Sequence, residues 1–246
     1  MVVSPRLYDG MNAGSAYRMT VRTIIVAGGA GKRMGGEQAK QYLLLGGIPI
    51  LMRTIERFLS LTLPSQTIVL VVPPFDMDYV EREIISPAGL CDVVKIVPGG
   101  EKRQDSVWNG LTMTGGDEDI TLIHDGVRPF VTERIIMNTV EEAAKSGAAI
   151  AGIPVSDTVK RVNNAGTIFS TVDRSGMWLA QTPQAFQTHL IMKAYESAVR
   201  EGYTGTDDAS LVEKRGHTVT LVYGSRINIK ITTPEDIRFG EWLLRQ

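Results

Sequence analysis

The chain has 246 residues, of which 43% are hydrophobic and 22% charged, an ordinary composition for a globular protein with a substantial core. Its 26 Lys and Arg residues nearly balance 27 Asp and Glu residues, so the net charge of −1 provides no overall field that would attract nucleic acid or an anionic membrane. The single cysteine, Cys91, excludes an internal disulfide and a multi-cysteine zinc site, and favours a reducing, cytoplasmic compartment.

The N-terminal segment has neither hydrophobic periodicity nor the apolar core of a secretory signal. We expect residues 1–19 to form a flexible extension and residues 20–246 to form a single domain. Nowhere does an apolar run approach the roughly 20 residues that span a bilayer.

From residue 20 onward, apolar β-branched runs alternate with amphipathic segments. Strands are predicted at 23–27, 67–72, 93–97, 120–123 and 148–153. Helices are predicted at 50–60, 78–85, 105–113 and 132–145. Several strands are apolar at nearly every position, which is typical of strands covered on both faces. The alternation therefore predicts an α/β fold with a doubly wound, mostly parallel sheet.

Residues 156–177 interrupt this alternation. Two strand-like segments flank the turn sequence Asn-Asn-Ala-Gly at 163–166, which predicts a projecting β-hairpin arm. The hairpin either decorates the edge of the sheet or embraces a second subunit. Beyond it, the pattern predicts helices at 188–201 and 207–215, strands at 218–223 and 227–231, and a last helix after Thr233.

A glycine-rich loop follows the first predicted strand. Residues 28–47 contain seven glycines and three cations, Lys32, Arg33 and Lys40. Met34 stands where the dinucleotide pattern GxGxxG requires glycine, and Arg33 follows Lys32 where a Walker loop requires Ser or Thr. Glycines that expose backbone N–H groups beside cations are typical of a triphosphate site. The loop therefore predicts nucleotide binding, but by neither of those two motifs.

Several motifs follow one another along the chain: VAGGAGKRMGGEQAKQYLLLGGIPIL, PGGEKRQDSVWNGL, HDGVRPFV, SDTVKRV, TVDRSGMWLAQTPQAF, GTDDASLVE and NIKITTPED. In order and spacing the chain resembles the cytidylyltransferases that act on 2-C-methyl-D-erythritol 4-phosphate, from about residue 20 to the C-terminus. The resemblance implies a glycosyltransferase-A-like nucleotidyltransferase fold in which the hairpin arm makes a homodimer. It also implies transfer of CMP from CTP to the polyol phosphate, releasing pyrophosphate, in non-mevalonate isoprenoid synthesis.

Site residues carried over from the family's motifs divide into three groups. The catalytic cations would be Arg33, Lys40, Arg174 and Lys230. The nucleotide would be held by Ala27, Gly28, Gly29, Gly31, Gly100 and Ser106. The polyol would be contacted by Asp125, Arg128, Thr158, Thr206 and Asp207. Ser106, Thr206 and Asp207 also fit helix starts, and Asp125 with Arg128 also fits a structural ion pair. Arg174 is expected to reach the neighbouring subunit's site.

The implied chemistry requires no catalytic base. The nucleophile is the acceptor's own phosphate, whose second pKa of about 6 makes it largely a dianion at neutral pH. The protein must instead neutralise and align two anions, so converging cations, backbone N–H groups and Mg²⁺ are expected. The Mg²⁺ would be held mainly by the phosphates of CTP and by water, without a metal site of protein ligands.

Two alternatives remain at this point. The family often reads His-Asp-Ala-Ala-Arg-Pro, whereas this chain reads His-Asp-Gly-Val-Arg-Pro, with Gly126 and Val127 in place of the two alanines. This form is closer to that of ribitol 5-phosphate cytidylyltransferases. The Val172-Asp173-Arg174 sequence ahead of Trp178 favours methylerythritol phosphate. A non-catalytic nucleotide-binding module is the remote alternative.

Overall fold

A seven-stranded sheet is the centre of the computed structural model, which describes residues 19–28, 39–61, 67–113 and 119–246. In chain order the strands are β1 (Val21–Val26), β2 (Leu44–Leu45), β3 (Ile48–Pro49), β4 (Thr67–Val72), β5 (Val94–Pro98), β6 (Ile120–Asp125), β7 (Ala148–Pro154), β8 (Val159–Val162), β9 (Ile168–Val172), β10 (Trp178–Gln187) and β11 (Thr220–Tyr223). The sheet has the order β11-β7-β10-β6-β1-β4-β5. Strand β10 is antiparallel to both neighbours, and the other pairs are parallel.

Helices cover both faces of this sheet. They are α1 (Ile50–Leu59), α2 (Met77–Val80), α3 (Arg103–Thr112), α4 (Glu133–Ser146), α5 (Thr188–Glu201), α6 (Asp208–Lys214) and α7 (Pro234–Leu243). Successive residues of β1 pack on opposite layers: Ile25 joins α1 and α4, and Ile24 joins α3, α5 and α6. The doubly wound, mostly parallel α/β fold is therefore confirmed. None of the helices in the described ranges is long and apolar enough to cross a membrane.

Helix boundaries follow from local capping. The Thr132 side chain accepts a hydrogen bond from Ile135 N at the start of α4, and Gly147 ends the helix with φ of 93°. Thr233 caps α7 in the same way, accepting from Asp236 N, and Pro234 occupies the first helical position. These ends are set by neighbouring residues, which is why the sequence pattern places them well.

Strand β10 has no counterpart among the predicted elements. Its residues Gln181, Thr182 and Gln184 are polar yet buried, so the segment shows neither alternation nor an apolar run. The sheet nevertheless inserts it between β7 and β6. A strand of this kind is recognisable only from the partners that its polar side chains find in the folded protein.

The strand predicted at 227–231 is not formed, and that prediction was wrong. The chain turns instead, with Asn228 N donating to Ser225 O at 3.1 Å. The buried Asn228 side chain donates from Nδ2 to Thr182 O at 2.9 Å. These bonds replace the ladder that a strand would make, and Ile231 N then donates to Val127 O at 2.9 Å.

Most of the other predicted elements differ from prediction by one or two residues in their bounds. Strand β1 is Val21–Val26 instead of 23–27, for example, and β6 ends at Asp125 instead of residue 123. Helix α3 begins at Arg103 instead of residue 105, which brings Arg103 and Gln104 into its first turn. The segment predicted as a helix at 78–85 is the four-residue α2 followed by a π-helical turn, Glu81–Ile85. Strand β11 begins at Thr220, two residues later than predicted.

The hairpin predicted at 156–177 is present. Strands β8 and β9 pair antiparallel as a sheet of their own, with Val159 opposite Val172. At the tip, the Asn163 side chain accepts from Ala165 N and Thr167 N, and Gly166 has φ of 77°. The N-terminal extension predicted at 1–19 lies outside the described residues except for Met19.

Candidate active site

Residues that follow the parallel strands meet at one edge of the sheet. Ala27 and Gly28 follow β1, Gly100 follows β5, and Asp125 ends β6. Strands β6, β1, β4 and β5 are neighbours in this order, so their carboxyl ends form a continuous rim. The rim is tied by backbone bonds, among them Ala27 N to Val71 O at 2.8 Å. Such a rim is where open α/β sheets bind ligands.

Ser106 links the glycines of the predicted nucleotide pocket. Its buried hydroxyl accepts from Gly100 N and donates to Lys102 O, both at 3.1 Å. A Cβ on Gly28 would lie 3.3 Å from the same oxygen, which brings Gly28 into the group. Ser106 therefore serves the first turn of α3 and also stands beside the predicted cytosine pocket.

Asp125 lies at the centre of three cations. Its Oδ1 is 3.4 Å from Arg103 Nε, and its Oδ2 is 3.2 Å from Arg128 Nε and 3.0 Å from Lys230 Nζ. Burial alone would raise the pKa of this carboxyl, but Arg103, Lys230 and Arg128 hold the pKa well below its usual range. The group is a fixed carboxylate that gathers positive charge at the rim of the sheet.

Arg103 is the cation that the sequence analysis did not single out. Its Nη1 and Nη2 donate to the two carboxylate oxygens of Asp208 at 3.0 and 2.8 Å. Asp208 is fully buried and also accepts from Tyr195 Oη at 2.5 Å. Burial, followed by the Asp208 charge, raises the pKa of the Tyr195 hydroxyl well above its ordinary value. Arg103 stands three residues after Gly100 in the quoted PGGEKRQDS motif, so a signal for it was present.

Arg128 is held by a polar network that also positions Lys230. Arg128 Nη1 donates to Asn228 O at 2.8 Å. The Gln181 side chain donates from Nε2 to Ser225 O at 2.9 Å, on the other side of the same turn. Because Lys230 lies two residues beyond Asn228, this turn brings its ammonium group to Asp125. The ion pair predicted for Asp125 and Arg128 is therefore present, and it leaves their predicted role at the acceptor open.

Thr206 and Asp207 precede helix α6. The Asp207 side chain caps this helix by accepting from Ser210 N at 3.0 Å. Its other oxygen accepts from Gln184 Nε2 at 2.9 Å, which fixes the carboxylate against β10. Thr206 is exposed. The helix-start role of Asp207 is therefore confirmed, and it leaves the polyol role open.

A comparison with known proteins identifies the family. The family model described as 2-C-methyl-D-erythritol 4-phosphate cytidylyltransferase matches residues 21–246. The chain is 49% identical, over 92% of its length and 96% of the relative's, to the protein of that name from Syntrophus aciditrophicus. The chain belongs to this family.

Solved structures of other members have the same fold. The synthase of 4-diphosphocytidyl-2C-methyl-D-erythritol from Anaerococcus prevotii is 30% identical with a TM-score of 0.78, covering 93% of this chain and 97% of that one. The cytidylyltransferase from Thermus thermophilus is 32% identical with a TM-score of 0.76, covering 93% and 100%. The protein is therefore a nucleotidyltransferase of the isoprenoid pathway.

The departure of this cytidylyltransferase from the family's His-Asp-Ala-Ala-Arg-Pro motif concerns the core. Val127 is buried in a cluster that includes Ile50 and Phe130. A Cβ at Gly126 would lie 3.0 Å from the Ala27 Cβ and 3.1 Å from a Leu51 methyl group. Both positions are thus constrained by packing.

The remaining predicted residues of the cytidylyltransferase lie in the segment after β1 and on the arm. Lys40 is half-buried and begins a short 3₁₀ helix, Lys40–Tyr42, beside the rim. On the arm, the Arg174 guanidinium donates to Ser156 O, and Thr158 is exposed. Arg33, Gly29 and Gly31 lie outside the described residues.

His124 lies next to Asp125 in β6 and is packed, as expected of a core histidine. Its Nε2 lies 3.1 Å from Arg128 O, and its Nδ1 lies 3.1 Å from Thr182 Oγ1. Burial lowers the pKa of the imidazole from 6.5 to about 4. The ring is therefore neutral at physiological pH. Its two nitrogens hold the Arg128 carbonyl and the Thr182 hydroxyl in place close to Asp125.

We expect this histidine to make the cytidylyltransferase sensitive to acid. Between pH 6.5 and 4 the unfolded chain binds a proton at His124 that the folded chain does not, so stability falls as the pH falls. The depressed pKa corresponds to a loss of about 3 kcal/mol in the free energy of unfolding by pH 4. Denaturant titrations between pH 6.5 and 4 measure this loss in the wild type, in His124→Gln and in the control His217→Gln, whose histidine is exposed. Equal pH slopes for all three proteins would contradict this assignment.

Proposed function

We propose that the chain transfers CMP from CTP to 2-C-methyl-D-erythritol 4-phosphate, giving 4-diphosphocytidyl-2-C-methyl-D-erythritol and pyrophosphate. The observation that carries the proposal is the group of Arg103, Arg128 and Lys230 around Asp125, at the sheet edge beside Gly28 and Gly100. Two anionic substrates must meet in such a reaction, and a concentration of fixed cations is what lowers the cost of their approach.

The chemical step is an in-line displacement at the α-phosphorus of CTP. An oxygen of the acceptor phosphate forms the new P–O bond, and the bond to the β-phosphate breaks with its electron pair leaving on pyrophosphate. We assign Lys230 to the acceptor phosphate, because its ammonium group is partly exposed at the rim while Asp125 holds it. Arg33 and Lys40 are assigned to the triphosphate, where they stabilise the charge developing on the leaving group.

The nucleotide is assigned to the glycine-lined half of the rim. The backbones of Ala27, Gly28, Gly29 and Gly31 would approach the base and the phosphates, since glycine allows close approach. Gly100 and Ser106 would bond the cytosine edge. This assignment is supported by the hydrogen bond from Gly100 N to Ser106 and by the closeness of the same hydroxyl to Gly28.

The acceptor is assigned to the other half. Asp125 and Arg128 would lie near the ribose and the polyol, and Thr206 and Asp207 would bond its hydroxyl groups. We assign Thr158 and Arg174 to the same acceptor in the neighbouring subunit, so that the active unit is a homodimer joined through the arm at 156–177. Its support is the apolar surface of the hairpin, where Ile168 and Phe169 are 57% and 61% exposed.

Magnesium is proposed to reach the site with CTP. Among the residues that the structure describes, no group of three or more His, Cys, Asp or Glu side chains is placed to hold a metal ion. Asp125 already pairs with three cations. Mg²⁺ held mainly by phosphate oxygens and water suits this donor set, and its charge would offset that of the phosphates.

The exposed free thiol of Cys91 accords with a cytoplasmic location.

The function is tested by pyrophosphate release with MgCTP and three acceptor conditions. Methylerythritol 4-phosphate, ribitol 5-phosphate and no acceptor are compared at equal enzyme concentration. We expect turnover with the first acceptor to exceed that with the others by about 100-fold or more, which corresponds to about 2.7 kcal/mol of discrimination. A preference for ribitol 5-phosphate would support the alternative acceptor, and turnover with neither would support a binding module.

The homodimer is tested by placing a charge on the arm. Phe169→Asp should produce monomers, because a buried unpaired carboxylate is costly at an apolar interface. The free energy of unfolding of the protomer should change by no more than about 0.5 kcal/mol, since the side chain is exposed there. Sedimentation velocity measures the change, with Phe75→Asp as a control outside the arm. A dimeric Phe169→Asp protein would contradict the arm interface.

A mixing experiment tests whether Arg174 acts on the neighbouring site. The Arg174→Ala and Lys230→Ala proteins should each be nearly inactive. If the two residues serve one site from different subunits, random reassortment makes half of the molecules heterodimers with one intact site each, restoring about a quarter of wild-type activity. No recovery after confirmed subunit exchange would mean that Arg174 acts within its own subunit.

A further inference from the structure

Gln104 connects helix α3 to a distant loop beside the site. In the first turn of this helix, its side-chain amide bonds two backbone groups of a loop about one hundred residues later. Nε2 donates to Tyr203 O, and Oε1 accepts from Gly205 N, each at 2.9 Å. One planar amide thus satisfies a donor and an acceptor of the same short segment.

The loop that Gln104 holds has little freedom on its other side. A Cβ at Gly205 would lie 2.3 Å from Ser210 Oγ and 2.8 Å from a Leu211 methyl group, so the backbone there is pressed against α6. Lys102 adds a weaker contact from the nucleotide side, with Nζ 3.4 Å from Thr204 Oγ1. The segment 203–205 is therefore fixed between α3 and α6.

The loop continues directly into the proposed acceptor residues. Gln184 holds its far end, donating to Asp207 Oδ2 and accepting from Ala209 N at 2.9 and 3.0 Å. Thr206 lies between the backbone held by Gln104 and the residues held by Gln184, and it is exposed. On its own helix, Gln104 is two residues from Ser106. The Ser106 hydroxyl accepts from Gly100 N in the proposed cytosine pocket.

We propose that Gln104 is a positioning residue for the acceptor. Its amide holds the backbone of 203–205 so that Thr206 and Asp207 face the polyol, and it ties this loop to the turn that carries Ser106. The proposal rests on the acceptor assignment of Thr206 and Asp207 made above. Only an amide of this length supplies both bonds, because a carboxylate lacks the donor and alanine lacks both groups.

The test separates the KM for the acceptor from the KM for CTP. In Gln104→Ala, losing two net hydrogen bonds should raise the KM for methylerythritol 4-phosphate about tenfold. The KM for CTP and kcat should remain within about twofold, since Gly100 and Ser106 keep their own bond. Gln104→Glu has the shape of the native side chain and should show the same selective rise, because its carboxylate faces the Tyr203 carbonyl. If the alanine variant fails to fold, Gln104→Glu provides the same test of the acceptor KM.

A matched control is Gln187→Ala, which removes an amide-to-backbone bond, Nε2 to Ala144 O at 3.2 Å, outside this loop. It should leave both KM values unchanged. An unchanged acceptor KM in the two Gln104 variants would overturn the proposal, as would equal increases in both KM values. Failure of the wild type to use methylerythritol 4-phosphate, measured in the same assay, would instead overturn the proposed function.

Discussion

Replacing Lys230 by alanine is expected to lower kcat/KM for the acceptor by about 10²–10³-fold while the protein remains folded. The ammonium group faces the rim and is 3.0 Å from Asp125, so the variant loses a cation where two anions must meet. The lysine side chain is 40% exposed, and Asp125 keeps Arg103 and Arg128. We therefore expect the free energy of unfolding to change by less than about 1 kcal/mol.

Steady-state kinetics with varied acceptor, together with urea denaturation, measures both effects. Lys230→Arg should recover part of the activity because it retains the charge, although the planar guanidinium cannot reproduce the position of the ammonium group. Arg238→Ala removes the cation of an exposed ion pair with Glu235 and serves as the control. Wild-type kinetics in Lys230→Ala would remove this residue from the proposed mechanism.

Replacing Asp208 by asparagine is expected to cost about 3 kcal/mol of the free energy of unfolding, because it breaks a bidentate ion pair whose carboxylate is fully buried, although the Arg103 side chain is 31% exposed. Asp208 is fully buried, and both of its oxygens accept from Arg103. The variant leaves a guanidinium without its main partner beside the sheet. Activity should fall as well, since Arg103 is one of the three cations that surround Asp125.

Tyr195→Phe provides the graded comparison. It removes only the hydroxyl that donates to Asp208, so a smaller loss of about 1.5–3 kcal/mol is expected for a hydrogen bond to a charged group. Glu235→Gln, on an exposed ion pair, should change stability by less than about 1 kcal/mol. Equal stabilities for Asp208→Asn and Glu235→Gln, measured by denaturant titration, would show that the Arg103–Asp208 pair contributes little.

Particular residues explain why the site was only partly predictable. Asp125, Arg128 and Lys230 were named from motifs, and they meet in the structure. Arg103 lies within a quoted motif, but it was missed because the motif does not show that its guanidinium is held in place, and its partner Asp208 lies 105 residues later. Gln104 carries no sequence signal at all, since a lone glutamine on a helix is usually solvated.

The same contrast holds for the fold. Strands β1, β4 and β6 were predicted because each is a short apolar run, and α4 because Thr132 and Gly147 mark its ends. Strand β10 was missed because its buried polar residues resemble a loop. The segment at 227–231 was assigned to a strand because it is apolar and short, but Asn228 bonds it into a turn.

The sequence by itself determined the α/β alternation, the capped ends of α4 and the start of α7, the hairpin at 156–177 and the family, because these depend on local conformational preferences and on motifs read along the chain. Only the tertiary structure decided the place of β10 in the sheet, the partners of Arg103 and Gln104, and the approach of Arg103 and Lys230 to Asp125. The reason is physical: these buried polar groups need hydrogen-bonding partners, and only the folding of distant segments against one another determines which partners they have.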